Sequence, residues 1–307
     1  MSQKSFAHPL SFLLLCSLLA FFSGCKREAA DPQQPPVFPS PKVLQPEAPG
    51  EETLGNPPLT LDISNLEQGY FVAKAQDDGH RKNIQLVGED QVPYSYFLAP
   101  GEEAVIPITS GSGTYQLSCY QEVEGSRFAA LYAQVLEVSL ENEFLPFLYP
   151  NQYISFTPDS QASKLALSLL PEDATDTEGL EAIYKYVTSH IVYDDEKAAS
   201  VGAGYLPDVD ETLATGKGIC FDYAALMTAM LRSRDIPSKL QIGYSGEIKH
   251  AWIDVYLISK GWVEAAVYFD GETWQRMDPT FASNSEDEAF IESYIGDGSN
   301  YTVQFSR

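Results

Sequence analysis

Residues 216–244 read GKGICFDYAALMTAMLRSRDIPSKLQIGY, and the reading of this stretch decides the fold. Two glycines close a loop, and Cys220 then opens a segment in which Ala224, Met227 and Leu231 recur at helical spacing, with Ala225 and Leu226 beside them. Ile236-Pro237 ends the helix, and KLQIGYS follows with the composition of a strand. Met227 and Met230 read as core filler on the helix's apolar face. A helix that begins at a cysteine places the sulfur beside unpaired N–H groups and the positive end of the helix dipole, where a thiolate is favoured. Gly218, just upstream, permits a close backbone approach.

A thiolate used as a nucleophile needs a base, and the strand pattern downstream supplies one. In KHAWIDVYLI (249–258), strict alternation puts His250, Trp252, Asp254 and Tyr256 on one face and Ala251, Ile253, Val255 and Leu257 on the other. The apolar set belongs to the core, so His250 is expected to face a cleft or solvent, with Trp252 shielding it from water. Two more strands are expected in GWVEAAVYF and, after an Asp270-Gly271 turn, in ETWQRMDP. Asp278 ends the last of these before Pro279 and is a candidate to orient the histidine and stabilise its imidazolium. Taken singly, each residue has a plain structural reading. A cysteine, a histidine and an acid in this order, 30 and 28 residues apart, point to a catalytic triad.

The segments GKGICFDYAALMTAMLRSRDIPSKLQIGY, HAWIDVYL, GW and MDPTFA resemble the three core motifs of the transglutaminase-like superfamily, whose fold is shared in outline with papain-type cysteine proteases. The resemblance covers about residues 150–285, and SHIVYDDEKA and GYLPDVDETL are similar to the stretch before the cysteine in bacterial lipoproteins of this family. It implies a nucleophile at Cys220, a base at His250 and an orienting acid at Asp278. It implies neither cross-linking activity, since bacterial members include peptidases, amidases and proteins without catalysis, nor calcium dependence. The expected chemistry is attack on a peptide or amide carbonyl through a thioester, with hydrolysis favoured over amine transfer. A non-catalytic surface binding module is the alternative. One oxyanion donor is expected from the Cys220 N–H, and Tyr193 and Tyr205 are candidates for the second.

Upstream of this region, DSQASKLALSLLPE and DTEGLEAIYKYVTSHIVYDD read as amphipathic helices, the first capped by Asp159 or Ser160, the second with its stripe on Leu180, Ile183, Tyr184, Val187 and Ile191. His190 is read as structural and His80 as solvated. Residues 59–149 change pattern: short runs rich in Val, Ile, Tyr and Phe, separated by turn signals such as QDDGH, LAPGEE and GSGT, predict an antiparallel β-sandwich. Its tyrosines read as sheet packing, and Cys119 shares a core face with Tyr115 and Leu117. The expected fold class is therefore α+β, a β-sandwich followed by a transglutaminase-like domain at 150–307.

Residues 26–58 hold nine prolines and read as a disordered tether. Before them, Lys4, the apolar run Leu10 to Phe22 and Ser23-Gly24-Cys25 read as a lipoprotein signal over residues 1–25, with lipidation at Cys25. About 13 apolar residues fall short of the roughly 20 that cross a bilayer. The chain is thus expected to be exported and lipid-anchored on the outer side of the membrane. With 43 acidic against 19 basic residues and a net charge of -24, it is not expected to bind nucleic acid or anionic lipid. Its partner is expected to be a protein or peptide substrate. No CxxC pair or histidine cluster suggests a metal, and no cofactor is expected. A Cys119–Cys220 disulfide is permitted outside the cytosol, although the two cysteines fall in different predicted domains.

Overall fold

The structure, a computed structural model, describes residues 43–264, 267–269, 274–276, 280 and 300–307. The signal segment with Cys25, the turn at Asp270-Gly271 and Asp278 lie outside the described residues.

Eight strands come first: β1 (Thr53–Asn56), β2 (Leu59–Asp62), β3 (Tyr70–Ala75), β4 (Lys82–Val87), β5 (Pro93–Leu98), β6 (Glu103–Pro107), β7 (Gly113–Glu124) and β8 (Arg127–Val138). They pair antiparallel into two four-stranded sheets, ordered β1-β2-β3-β6 and β5-β4-β7-β8. The alternation expected from sequence holds. Tyr94, Tyr96 and Leu98 of β5 are buried while Ser95 and Phe97 face outward. Leu59, Leu61, Phe71 and Ile106 of one sheet meet Ile84, Leu86, Tyr96 and Leu117 of the other in one apolar core, which makes this half a β-sandwich. Cys119 lies in that core beside Tyr115 and Leu117, and burial pushes its thiol up to about 11. Cys119 and Cys220 are both free thiols, so the disulfide is not formed.

The proline-rich stretch is a correction. Residues 43–58, expected in the tether, are part of the fold. Val43 is buried in the second core, and β1 pairs with β2 across Gly55↔Thr60. The prolines flank the β1 ladder instead of interrupting it, so they remove no strand donor.

The second half contains α1 (Gln161–Ser168), α2 (Asp176–His190), β9 (Val192–Tyr193), α3 (Asp195–Ser200), α4 (Val209–Thr215), β10 (Lys217–Gly218) and α5 (Cys220–Arg232). Strands β11 (Ser238–Ser245), β12 (Ile248–Leu257), β13 (Gly261–Val263), β14 (Val267–Phe269), β15 (Trp274–Arg276) and β16 (Tyr301–Ser306) follow. The main sheet has the order β13-β12-β11-β16, and all its pairs are antiparallel. GWVEAAVYF, expected as one strand, is divided: β13 pairs with β12, whereas β14 pairs with β15. Helix α5 is the centre of this half, because every residue from Asp222 to Arg232 is buried. It is surrounded by Ala162 and Ala166 of α1, the α2 stripe, Val209 of α4, and the Ala251, Ile253, Val255 and Leu257 face of β12.

Two arginines join the halves. Arg307 is 2% exposed, and its guanidinium lies 4.5, 4.7 and 4.6 Å from the ring centres of Tyr94, Tyr96 and Tyr153 while donating to the Tyr96 hydroxyl at 3.0 Å. Arg232, at the end of α5, donates to the Ser238, Tyr149 and Arg307 carbonyls. Burial pulls its guanidinium down to about 9. All described residues accordingly fall in one compact unit with two cores. Replacing Arg232 with Leu would remove the donor from three carbonyls, of which only Arg307 is shown to keep another, the Leu240 N–H, and the expected loss is about 3 kcal/mol or more. Thermal unfolding should show a fall of roughly 6–12 °C. An unchanged midpoint would mean that those carbonyls find other donors.

Candidate active site

Cys220 is the first residue of α5 and is half-buried against the helical core. The chain reaches it through a two-residue parallel pairing in which β10 lies beside β9, Gly218 opposite Tyr193. Two further bonds lock this approach, Val192 N–H to the Gly216 carbonyl at 2.9 Å and Asp194 N–H to the Gly218 carbonyl at 3.0 Å. Gly216 ends α4 in the left-handed region at φ 64, which fixes why a glycine stands there. Burial raises the Tyr193 hydroxyl, with Cys220 and Asp195 adding to the effect, and its strand pairs with Gly218, two residues before the cysteine.

The N-termini of the helices differ in one respect. Asp210 accepts the Gln161 and Ala162 N–H groups of α1, and Thr175, Asp194 and Asp208 cap α2, α3 and α4 from their own N-cap positions. At the N-cap of α5 stands Ile219, which has no acceptor, and no side chain caps the turn. Among the described residues, no side chain takes the first N–H groups of α5 beside the sulfur. Asp222, at the third helical position, turns back instead and accepts the Ile219 N–H at 2.8 Å. This tuck explains Gly218: a Cβ there would come 2.7 Å from the Asp222 Cβ.

Asp222 is fully buried, and its carboxylate also accepts from Lys197 Nζ at 2.8 Å and from the Tyr205 hydroxyl. Burial lowers the Lys197 ammonium, but its bonds to Asp222 and Tyr205 outweigh that, and the net shift is upward. Burial first, then the Asp222 carboxylate, pushes the Tyr205 hydroxyl up to about 12. Tyr205 is therefore committed to Asp222 and is withdrawn as an oxyanion donor. Of the two tyrosine candidates, only Tyr193 stands free of such a bond among the described residues.

Topology brings His250 to this end of α5. Thirteen helical residues carry α5 over about 20 Å. Arg232, at its far end, bonds to the Ser238 carbonyl where β11 starts, and β11 returns about 17 Å along the helix by Gly243. The hairpin then opens β12, in which His250 pairs with Gly243. Ala251, next to His250, shares the core cluster against which Cys220 packs. Of the two expected settings for His250, a cleft or solvent, open solvent is ruled out. The residue is 6% exposed, and Trp252 and Asp254 on the same face are buried as well. The returning strand β16 covers that face: the Tyr301 ring lies 5.1 Å from Trp252 and 6.2 Å from His250, and Gln241 bridges Ser306 to Asp254. The Trp252 ring stacks at 6.2 Å from His250, in the shielding position that the alternation implied.

The third triad candidate, Asp278, lies outside the described residues, and the hairpin of β11 and β12 returns His250 toward the end of α5 that carries Cys220. His190 stacks on Tyr186 at the surface, 4.0 Å between rings, and His80 is exposed; neither approaches the site. Lys197 and Asp222 were not singled out from sequence, although a signal for Asp222 existed: a helix opening with an isoleucine at its N-cap and an acid three residues on. Among the described residues, no group of three or more His, Cys, Asp or Glu side chains could hold a metal ion.

An α+β domain that presents a cysteine at the open end of a buried helix, with a strand histidine returned to that end, defines a thiol-bearing class of proteins. Residues 163–279 match the sequence model of the transglutaminase-like superfamily. The chain is also similar to the protein YebA of Bacillus subtilis strain 168, at 22% identity over 247 residues covering 67% of this chain and 33% of that protein. It is similar to the kyphoscoliosis peptidase of Mus musculus, at 28% identity over 165 residues covering 48% of this chain and 25% of that protein. The chain thus spans a third or less of the length of these curated relatives. Among solved structures, a candidate cysteine protease from Cytophaga hutchinsonii aligns with a TM-score of 0.38 and 15% identity over 78% of this chain and 79% of that one.

Gly243, opposite His250, is the point where the sheet is tightest. An added Cβ would meet the Thr302 carbonyl at 2.0 Å and the Trp252 ring at 2.9 Å, beside the register shift between Ile242 and Gly243. A Gly243→Ala variant is expected to displace β16 and tilt Trp252 off His250, lowering stability by about 1–3 kcal/mol. Trp fluorescence and the unfolding midpoint measure this; a wild-type spectrum and midpoint would show that the sheet relaxes without cost.

Proposed function

We propose that this chain is an exported, lipid-anchored thiol enzyme that acts on peptide or amide bonds. Cys220 is its nucleophile, His250 its general base and acid, and Asp278 the acid that orients the histidine. The single observation that carries the reading is the uncapped first turn of α5, with a half-buried Cys220 at a helix end where α1 to α4 each have N–H groups taken by side-chain oxygens. The match of residues 163–279 to the transglutaminase-like superfamily supports it, because the superfamily includes cysteine-dependent enzymes.

In the proposed cycle His250 takes the Cys220 proton and the thiolate attacks the substrate carbonyl carbon, forming a C–S bond. The negative charge on the carbonyl oxygen is met by the open Cys220 N–H and, from the strand that pairs with Gly218, the Tyr193 hydroxyl. The C–N bond then breaks as His250 returns the proton to the departing amine, leaving a thioester. Water activated by His250 releases the acid and restores the thiol. A second amine in place of water would give transfer. Hydrolysis is favoured in this reading, and the Cys25 lipid anchor holds the enzyme against substrates outside the membrane.

Two measurements test it. Iodoacetamide should modify Cys220 at least tenfold faster than Cys119, whose thiol is buried and raised. Equal rates would leave the non-catalytic surface binding module as the reading. A glutamine-containing protein incubated with a labelled primary amine separates the outcomes, with Cys220→Ser as the control. Cleavage without label supports hydrolysis, and label incorporation that the Ser variant abolishes would assign amine transfer instead.

A further inference from the structure

Asp222 presents a physical conflict. It is a fully buried carboxylate in the first turn of α5, two residues from Cys220, so two anions compete for one positive helix end. A carboxylate so near would oppose formation of a thiolate through a medium of low dielectric. Yet the residue is structurally needed, because it holds the Ile219 N–H and with it the entry of the chain into the helix. An asparagine at this position would hold the same N–H without the charge.

Lys197 removes the conflict. Its ammonium comes from α3, lies 2.8 Å from Asp222 Oδ2, and sits over the Tyr205 ring at 4.7 Å. The Tyr205 hydroxyl takes the second carboxylate oxygen. Asp194 accepts the Lys197 N–H at 2.9 Å and sets the turn from which the lysine reaches across. Other titratable groups around the cluster are Tyr193 on β9, Asp195 on α3, and His250, which β12 brings to the same end of α5. Among these described groups, Lys197 is the one cation bonded to the buried carboxylate.

On the reading of Cys220 as a nucleophile, we propose that Lys197 and Asp222 form a charge-compensated positioning pair. Asp222 fixes the turn that presents the cysteine, and Lys197 cancels the carboxylate's charge so that the thiolate can form beside it. The pair also ties α3 and the Tyr205 loop to the catalytic turn, so that these segments report on nucleophile strength without touching substrate.

The test is the rate of iodoacetamide modification at Cys220, followed by peptide mass analysis between pH 5 and 10 in the full chain. Lys197→Met should slow the reaction about tenfold at pH 7 and move its profile to higher pH, because one uncompensated charge then faces the sulfur. Lys197→Arg should keep the wild-type profile. Removing both charges in Lys197→Met/Asp222→Asn should restore the rate to within about twofold of wild type, which a packing role would not do. If Lys197→Met does not fold, Asp222→Asn alone decides, since keeping the ammonium while removing the carboxylate should leave Cys220 at least as fast as wild type. An unchanged rate in Lys197→Met, a double variant as slow as the single one, or a slowed Asp222→Asn would each overturn the pair. A wild-type Cys220 no faster than Cys119 would instead overturn the enzyme reading on which the pair rests.

Discussion

The rest of the thiol-bearing half depends on the seating of α5. It is buried from its third residue to its last, so beyond its half-buried first residues its polar groups cannot be satisfied by water and must be held by specific partners. At the near end Asp222 accepts the Ile219 N–H, and at the far end Arg232 donates to three carbonyls. These two contacts fix the helix along its axis, while the α1, α2 and α4 side chains and the β12 face fix it sideways. Everything that makes Cys220 available follows from this placement. The sulfur can be half-exposed at the rim only because the remainder of the helix is anchored in the core.

The same placement explains why a β-sandwich is joined so closely to a helical domain. Arg232 reaches the Tyr149 carbonyl on the connection between the two halves and the Arg307 carbonyl on the final strand. Arg307 in turn inserts its guanidinium among Tyr94, Tyr96 and Tyr153, so the chain's last described strand is pinned to the sandwich as well as to β11. That strand also carries Tyr301, which covers the His250 face of the sheet. The burial of His250 and the linkage of the two cores are therefore consequences of one returning segment.

Much of this was legible in the sequence where local pattern and burial agree. The strands from Leu59 to Val138, the α2 stripe, the start of α5 at Cys220 and the apolar face of β12 follow from periods of 2 and 3.6 residues, which the core enforces at every turn. What misled the reading was context. Prolines suggested a tether through residue 58, yet the non-proline residues between them found a sheet edge in β2. Asp159 and Ser160 were both reasonable caps for α1, but Asp210 from another helix takes those N–H groups. Short helices such as α3 and α4 carry too few turns for a periodic signal and are held instead by their aspartate caps.

The sequence by itself determined the class of fold and pointed to its candidate residues, a helix-opening Cys220 and a strand-borne His250, because these depend on residue type and short-range spacing. Only the tertiary structure decided what surrounds them. That Tyr205 bonds to Asp222 rather than facing a substrate, that Lys197 balances a buried carboxylate, and that His250 lies under Trp252 and Tyr301 all join segments distant in sequence. The physical reason is that charge compensation and the covering of a sheet face are properties of three-dimensional neighbours, for which a single chain read in order has no local signature.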